Sequence, residues 1–182
     1  MRRFGTIVID LYPAGFRITT VWLRGFSRNP RTITIENPLS RTYVERPMSA
    51  IGDIIRFIGG RSLGVGPPSR VHVTTGNVGR LASRRHRLDY GSNGSVDVWT
   101  TTALGPTLAF RAFADEFVRA LSPRSVPVLR AIPGTPIYVE LHGDRTLPIV
   151  HPRKLVWSSR GEAEALRVSP WMFPAPFGTI FK

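Results

Sequence analysis

Short runs in which apolar and polar residues alternate dominate this chain, and they predict strands rather than long helices. The clearest run is 31–36, where two isoleucines alternate with threonines between flanking Asn-Pro pairs. β-branched residues fill much of 4–11 and 16–24, which we expect to form two strands joined by a turn at 12–15. The start of the chain is therefore predicted to be mainly β-structure.

Two segments instead carry apolar residues at the spacing of an amphipathic helix. The first begins at Pro47, where a missing N–H costs nothing, and ends at the glycine pair 59–60. The second begins after Gly105-Pro106 and ends at Ser122-Pro123, with three phenylalanines on its buried face. The glycine-rich segment 59–68 is expected to be an exposed loop.

The remaining elements are shorter. The segment 162–167 fits either a helical turn or another strand. Further strands are predicted at 70–75, 95–103, 126–131, 136–142, 147–150 and 154–158. Together these elements indicate an α+β protein with a largely antiparallel sheet of about eight to ten short strands and two amphipathic helices. A β-sandwich or jelly roll with inserted helices is the alternative.

A chain of 182 residues suits one domain, which we assign to 1–169. The segment that follows, 170–182, is apolar and broken by three prolines, so that neither a regular helix nor a regular strand is expected there. Such a segment packs on its own domain or docks as an extended arm on a neighbour or on another copy. Its candidate partner-binding residues are aromatic: Trp171, Phe173, Phe177 and Phe181.

The chain carries 23 arginines, two lysines and 12 acidic residues, which give a formal net charge of +13. Because so large an unbalanced charge repels itself in a folded protein, a polyanionic partner is expected. Arginine binds phosphate through two parallel donors and stacks on bases, which lysine cannot do. A codon bias toward arginine explains the low lysine content equally well, but it does not explain the net charge.

Basic residues are densest at 80–87, between Gly79 and Gly91, and we expect this segment to be a loop that lies against phosphates. Two arginines that flank the glycine-rich loop extend the same patch. A solvated loop or a salt-bridged contact between subunits is the alternative. The candidate nucleic-acid-binding residues are Arg61, Arg70, Arg80, Arg84, Arg85, His86 and Arg87.

Signals for cofactor and metal chemistry are weak. The sequence holds no cysteine, so that thiolate nucleophiles, disulfides and cysteine-ligated zinc are excluded, and no Walker A or G-x-G-x-x-G motif occurs. His142, Asp144 and His151 have metal-binding side chains near one turn, but they lack the regular spacing of known metal sites. We therefore predict no catalytic residue, no metal and no cofactor.

These observations favour a non-enzymatic basic structural protein of a nucleic-acid-containing assembly, such as a viral or phage particle or a ribonucleoprotein. Its arginines would bind the phosphate backbone, with RNA slightly favoured over DNA, and the C-terminal arm would bind protein neighbours or another copy. One alternative is a small enzyme that acts on a phosphate-bearing or nucleic-acid substrate through His72 or the group at 142–151. Another is a pure assembly protein without nucleic-acid binding.

No stretch of the sequence has the length and apolar character of a membrane span, and the N-terminal residues lack the long apolar core of a signal peptide. We therefore expect no membrane partner. The absence of cysteine is compatible with any redox compartment, and the sequence leaves the localisation open.

Overall fold

The computed structural model describes residues 8–57, 66–104, 108–142, 146–150 and 162–180. In these residues, eleven strands form a six-stranded sheet and a five-stranded sheet, and all strand pairs but one are antiparallel. Short helices accompany both sheets. The predicted α+β class with largely antiparallel pairing is confirmed.

Contacts divide the chain into two compact units. Unit 1 consists of Met1–Gly59, Thr107–Glu116 and Ser158–Lys182. Unit 2 consists of Gly60–Pro106 and Phe117–Trp157. The C-terminal arm thus belongs to unit 1, whereas the assignment of 1–169 to a single domain stays a prediction.

The sheet of unit 1 is an antiparallel meander with one parallel strand added at its edge. Its strands are β1 (Val8–Tyr12), β2 (Gly15–Thr19), β3 (Arg24–Ser27), β4 (Thr32–Asn37), β5 (Thr42–Pro47) and β11 (Phe173–Pro174), and they lie in this order across the sheet. The first five are joined by short turns, so each pairs with the strand before it. β11 pairs in parallel with β5.

The core of unit 1 forms where apolar residues of the meander meet helices. Phe16 is fully buried, and its ring lies 5.6 Å from Phe110 and 5.2 Å from Phe113, both in α2 (Leu108–Leu121). A 3₁₀ turn at Met48–Ala50 leads into α1 (Ile51–Phe57), which buries its first apolar residue. Both helices fall where the apolar spacing predicted them.

The sheet of unit 2 is antiparallel throughout. Its strands are β6 (Arg70–Val78), β7 (Leu81–Asp89), β8 (Ser95–Thr101), β9 (Thr135–His142) and β10 (Thr146–Val150), in the spatial order β10-β9-β8-β7-β6. Leu88, Val98 and Ile132 form a buried cluster on one face, against which the short helix α3 (Val126–Ala131) packs Val128 and Leu129. The opposite face carries the charged residues Arg85, Arg87 and Asp97 next to the ring of Trp99.

Several predicted elements need correction. The segment 126–131, predicted as a strand, is the helix α3, because Pro127 occupies a first-turn position where its ring is preorganised for a helix. The predicted strand 16–24 ends as β2 at Thr19. A turn follows, in which Thr20 Oγ1 accepts the N–H of Leu23 at 2.9 Å, and β3 begins at Arg24. The alternation of apolar and polar residues in the sequence did not predict β5.

The C-terminal segments belong to unit 1 and contain little regular structure. The segment 162–167 contains the one-turn helix α4 (Glu162–Ala165), the first of the two predicted possibilities. The predicted strand 154–158 lies outside the described residues. None of the helices in the described part of the chain is long and apolar enough to cross a membrane.

Candidate functional site

The basic segment 80–87 is a β-strand rather than the loop predicted from its composition. Arg80 lies in the turn after β6, and from Leu81 onward the chain forms β7, paired with β6 on one side and β8 on the other. Because successive strand residues point to opposite faces, Arg84 and His86 lie on one face of the sheet and Arg85 and Arg87 on the other. The predicted single patch is therefore divided between two faces.

His86 is held inside unit 2 by β8. It is 3% exposed, and its Nε2 lies 3.2 Å from Oγ1 of Thr100. Burial lowers the pKa of His86 below its ordinary value of 6.5, and the charge of Arg84 lowers it further. His86 is thus kept neutral and is not positioned to contact a phosphate.

Arg85 is occupied by a buried carboxylate. Its Nε donates to Oδ2 of Asp97 at 3.0 Å, its Nη2 donates to the same oxygen, and the Asp97 side chain is fully buried. The guanidinium also lies over the ring of Trp99, 5.6 Å from its centroid. These contacts assign Arg85 to the structure of the sheet, since the cation already has its counter-charge.

Arg87 combines an anchored position with an accessible charge. Its Nε and Nη2 donate to Oγ of Ser95 at 3.3 and 3.0 Å, while its side chain remains 45% exposed. Its Nε lies 3.9 Å from Oδ1 of Asp97, beyond hydrogen-bond distance. The guanidinium is therefore fixed in direction without being covered.

Arg80 and Arg84 are accessible cations without a nearby carboxylate in the described residues. Both are exposed, and neither has a carboxylate within 4.0 Å in the described ranges of the chain. Arg70 is the first residue of β6, and its side chain lies outside what the structure describes. Arg61 lies outside the described residues altogether.

His142 has two carboxylates as neighbours. His142 Nε2 lies 2.8 Å from Oδ2 of Asp97 and 3.5 Å from Oε2 of Glu140, and the three ligand atoms lie within 4.8 Å of one another. Asp144 and His151 lie outside the described residues.

The cluster of Asp97, Glu140 and His142 contains metal-ligand side chains, but Arg85 already occupies its central carboxylate. A divalent cation placed there would meet the charges of Arg85 and Arg87. We therefore describe the cluster as an ion-pair network. Its buried acid was visible in the sequence only as one charged residue between two valines, in Val96-Asp97-Val98.

Tyr138 of β9 lies on the same face of the sheet as Asp97 and Glu140. Its ring lies 6.4 Å from that of Trp99 in an edge-to-face arrangement. Burial raises the pKa of the Tyr138 hydroxyl, and a hydrogen bond to Glu140 raises it further. The phenol therefore stays protonated and serves as a donor within the network.

Residues 60–64 have the sequence G-x-S-x-G, and they lie outside the described residues. In α/β-hydrolases this motif joins a strand to a following helix, which presents the serine at a sharp turn. Here it follows the helix α1 and precedes the strand β6, which is the reverse order. The surrounding elements therefore do not support a nucleophile at Ser62.

The arm residues separate into buried anchors and exposed aromatics. Met172 and Ile180 are buried in unit 1, and Asn37 Nδ2 donates to the carbonyl oxygen of Ile180 at 2.8 Å. Among the predicted partner-binding residues, Trp171 is 46% and Phe173 65% exposed. Phe177 is half-buried under the guanidinium of Arg46, 5.0 Å from its ring centroid, and Phe181 lies outside the described residues.

The positive charge is concentrated in unit 2. By sequence, that unit has twelve basic and four acidic residues, a net charge of +8, whereas unit 1 has thirteen basic and eight acidic residues, a net charge of +5. Comparisons with protein-family models, with curated proteins and with solved structures gave no match for this chain. A functional assignment therefore rests on the charge and geometry of the site.

Proposed function

We propose that this protein is a non-enzymatic, basic component of a nucleic-acid-containing assembly and that unit 2 binds the phosphate backbone. The observation that carries the proposal is the pair of exposed cations Arg80 and Arg84, which have no carboxylate within 4.0 Å in the described chain. They belong to the unit whose net charge is +8. An exposed arginine without an internal counter-charge can neutralise a phosphate, which releases the cations condensed on the nucleic acid.

Arg87 supports the same proposal from the other face of the sheet. Ser95 holds two of its donors, so that the remaining guanidinium edge is directed outward with little loss of side-chain entropy on binding. Arg85 and His86, in contrast, are excluded from the proposed contact set because their partners lie inside unit 2. The contact set is thus Arg80, Arg84 and Arg87.

Backbone contacts of this kind give affinity with little sequence selectivity. Arg84 and Arg87 are exposed on opposite faces of β7. This arrangement suits a flexible strand better than a rigid rod, because a flexible strand can contact both side chains. For this reason we take single-stranded RNA as the favoured ligand.

The proposed enzyme alternative gains no support from the two histidines of that hypothesis that the structure describes. His72 lies on β6 and His142 on β9, with β7 and β8 between them, so that three strand spacings, about 14 Å, separate their backbones. A shared catalytic site needs its acid and base within hydrogen-bond reach of one substrate.

Equilibrium binding tests the proposal. Purified, nuclease-treated protein is titrated against labelled single-stranded RNA, double-stranded RNA and duplex DNA over a series of salt concentrations. We expect binding whose affinity falls steeply with salt, tightest for single-stranded RNA. Affinity for none of the three at low salt would reject the proposal.

A further inference from the structure

The long edge strand β6 of unit 2 is unprotected against pairing with another strand. β6 is nine residues long and lies at the end of the five-stranded sheet. In the part of the chain that the structure describes, no strand pairs with its outer side. An edge strand presents alternate N–H and C=O groups outward, which makes it a template for a further strand.

The other sheet edges carry features that oppose such pairing. β10 contains Pro148 and a register shift next to it, and β11 is only two residues long and ends in Pro174. β1 has the charged residue Asp10 at its centre. β6 contains no proline, lysine or acidic residue, and its one charged residue, Arg70, is at its first position. It is thus the longest described edge and the least protected one.

Two apolar side chains of β6 are also exposed to solvent. Val71 is 42% and Val73 55% exposed. Both valines lie opposite buried residues of β7, since Val71 pairs with Leu88 and Val73 with His86. Residues opposite each other on paired strands share a face, so the apolar layer of unit 2 continues to the sheet edge and is uncovered there.

From this edge we propose that two copies of the chain pair through β6, antiparallel about a two-fold axis, to form one continuous sheet of ten strands. A two-fold axis perpendicular to the sheet keeps each side chain on its own face. Odd-numbered residues therefore lie opposite odd-numbered residues of the other copy, and even-numbered opposite even-numbered. A register centred on His72 places Val71 of one copy opposite Val73 of the other, so that the four valines cover one another. The pairing therefore satisfies the outward backbone groups of residues 70–74 and buries the uncovered apolar layer.

The low charge of β6 suits pairing with a second copy better than pairing with a charged partner strand. The one charged residue of β6 is Arg70, which in the register centred on His72 lies opposite Thr74 of the other copy, so that two copies meet without like charges opposite each other. The arginines of β7 lie one strand further in. In the dimer they would be separated by three strand spacings, about 14 Å, beyond the Debye length of about 8 Å at physiological salt. The charge of unit 2 thus does not prevent self-pairing.

The chain has no cysteine, which makes cross-linking a direct test. Single-cysteine variants H72C and T74C are oxidised in high salt after nuclease treatment, with V21C, in an exposed turn of unit 1, as the matched control. We expect a rapid disulfide-linked dimer for H72C and none for V21C. Efficient cross-linking of T74C but not of H72C would support the same strand pairing in a register centred on residue 74, which pairs all of β6. Cross-linking of neither β6 variant above the control would overturn the proposal.

Mass measurement provides the second readout. We expect the unmodified 20.3 kDa chain to reach twice that mass with increasing concentration. V73K, which places a charge on the edge, is expected to weaken dimerisation at least about tenfold, whereas V21K should not change it. Circular dichroism confirms that each variant is folded. A monomer at all concentrations, or equal effects of V73K and V21K, would contradict the pairing.

Discussion

The Oδ2 atom of Asp97 lies 2.8 Å from Nε2 of His142, a residue 45 positions further along the chain. Pairing of β8 with β9 brings the two together, and Arg85 donates to the same oxygen from β7. Three adjacent strands are therefore tied at one fully buried carboxylate. A charge in this position stabilises the fold only while its partners remain in place.

Replacing this carboxylate is expected to destabilise the protein strongly. Asp97→Asn removes the fully buried carboxylate that Arg85 and His142 both contact, and losing these charge-assisted hydrogen bonds should cost about 1.5–3 kcal/mol in the free energy of unfolding. Asp10→Asn is the matched control, because Asp10 pairs with Arg17 at 2.7 Å where both side chains are about a third exposed. That change should cost no more than about 1 kcal/mol. Equal losses in urea unfolding would contradict the central role of Asp97.

His86 predicts a loss of stability in mild acid. Because its pKa is lowered in the folded protein, acidification protonates the unfolded chain first and shifts the equilibrium toward unfolding. The contribution of His86 to stability is complete above pH 6.5 and decreases as the pH falls from 6.5 toward the lower pKa of the folded state. Urea unfolding of the wild type and H86Q from pH 8 to pH 5 measures this difference. The pH dependence should be weaker in H86Q; identical curves would show that His86 does not contribute it.

Gly15 is expected to tolerate no side chain. A Cβ at this position would lie 2.0 Å from the backbone oxygen of Ser27, so that β2 and β3 could not keep their spacing. Gly15→Ala should reduce the free energy of unfolding by at least about 2 kcal/mol. Gly25 is the control, since a Cβ there meets Ile33 at an ordinary 3.6 Å. A Gly25→Ala variant as unstable as Gly15→Ala would contradict this packing.

The arm should stabilise unit 1 through its buried residue and not through its exposed ones. Ile180 is fully buried, and Ile180→Ala is expected to cost about 2–5 kcal/mol. Phe173 is 65% exposed, and Phe173→Ala should change stability by less than about 0.5 kcal/mol. Thermal unfolding of both variants compares them. A large loss of stability for Phe173→Ala but not for Ile180→Ala would show that Ile180 does not anchor the arm.

The elements that the sequence predicted well are those with one consistently buried face. In β4, Ile33 and Ile35 are both buried, which produces the alternation seen in the sequence. In β7 the buried face changes along the strand. Leu81 is buried on one side and Leu88 on the other, so no single alternation marks the segment as a strand. Because the segment is rich in arginine and shows no such alternation, we predicted a loop there.

The relations between distant residues were not predictable from local patterns. Asp97 receives its partners through strand pairing over 12 and 45 residues, and neither separation leaves a periodic signal. Val126 and Val128 favoured a strand by their β-branched side chains, but Pro127 and packing against the core of unit 2 made the segment helical. Local propensity was therefore overridden by tertiary context.

The most direct test of the central claim is the salt dependence of RNA affinity in charge-matched variants. R80Q/R84Q removes two proposed phosphate contacts, and R31Q/R167Q removes two exposed arginines of unit 1. The first variant should lower the slope of log affinity against log salt by about 1.4, because each contact with single-stranded RNA contributes about 0.7, and the second should leave the slope nearly unchanged. Equal slopes in the two variants would contradict the assignment of phosphate binding to β7.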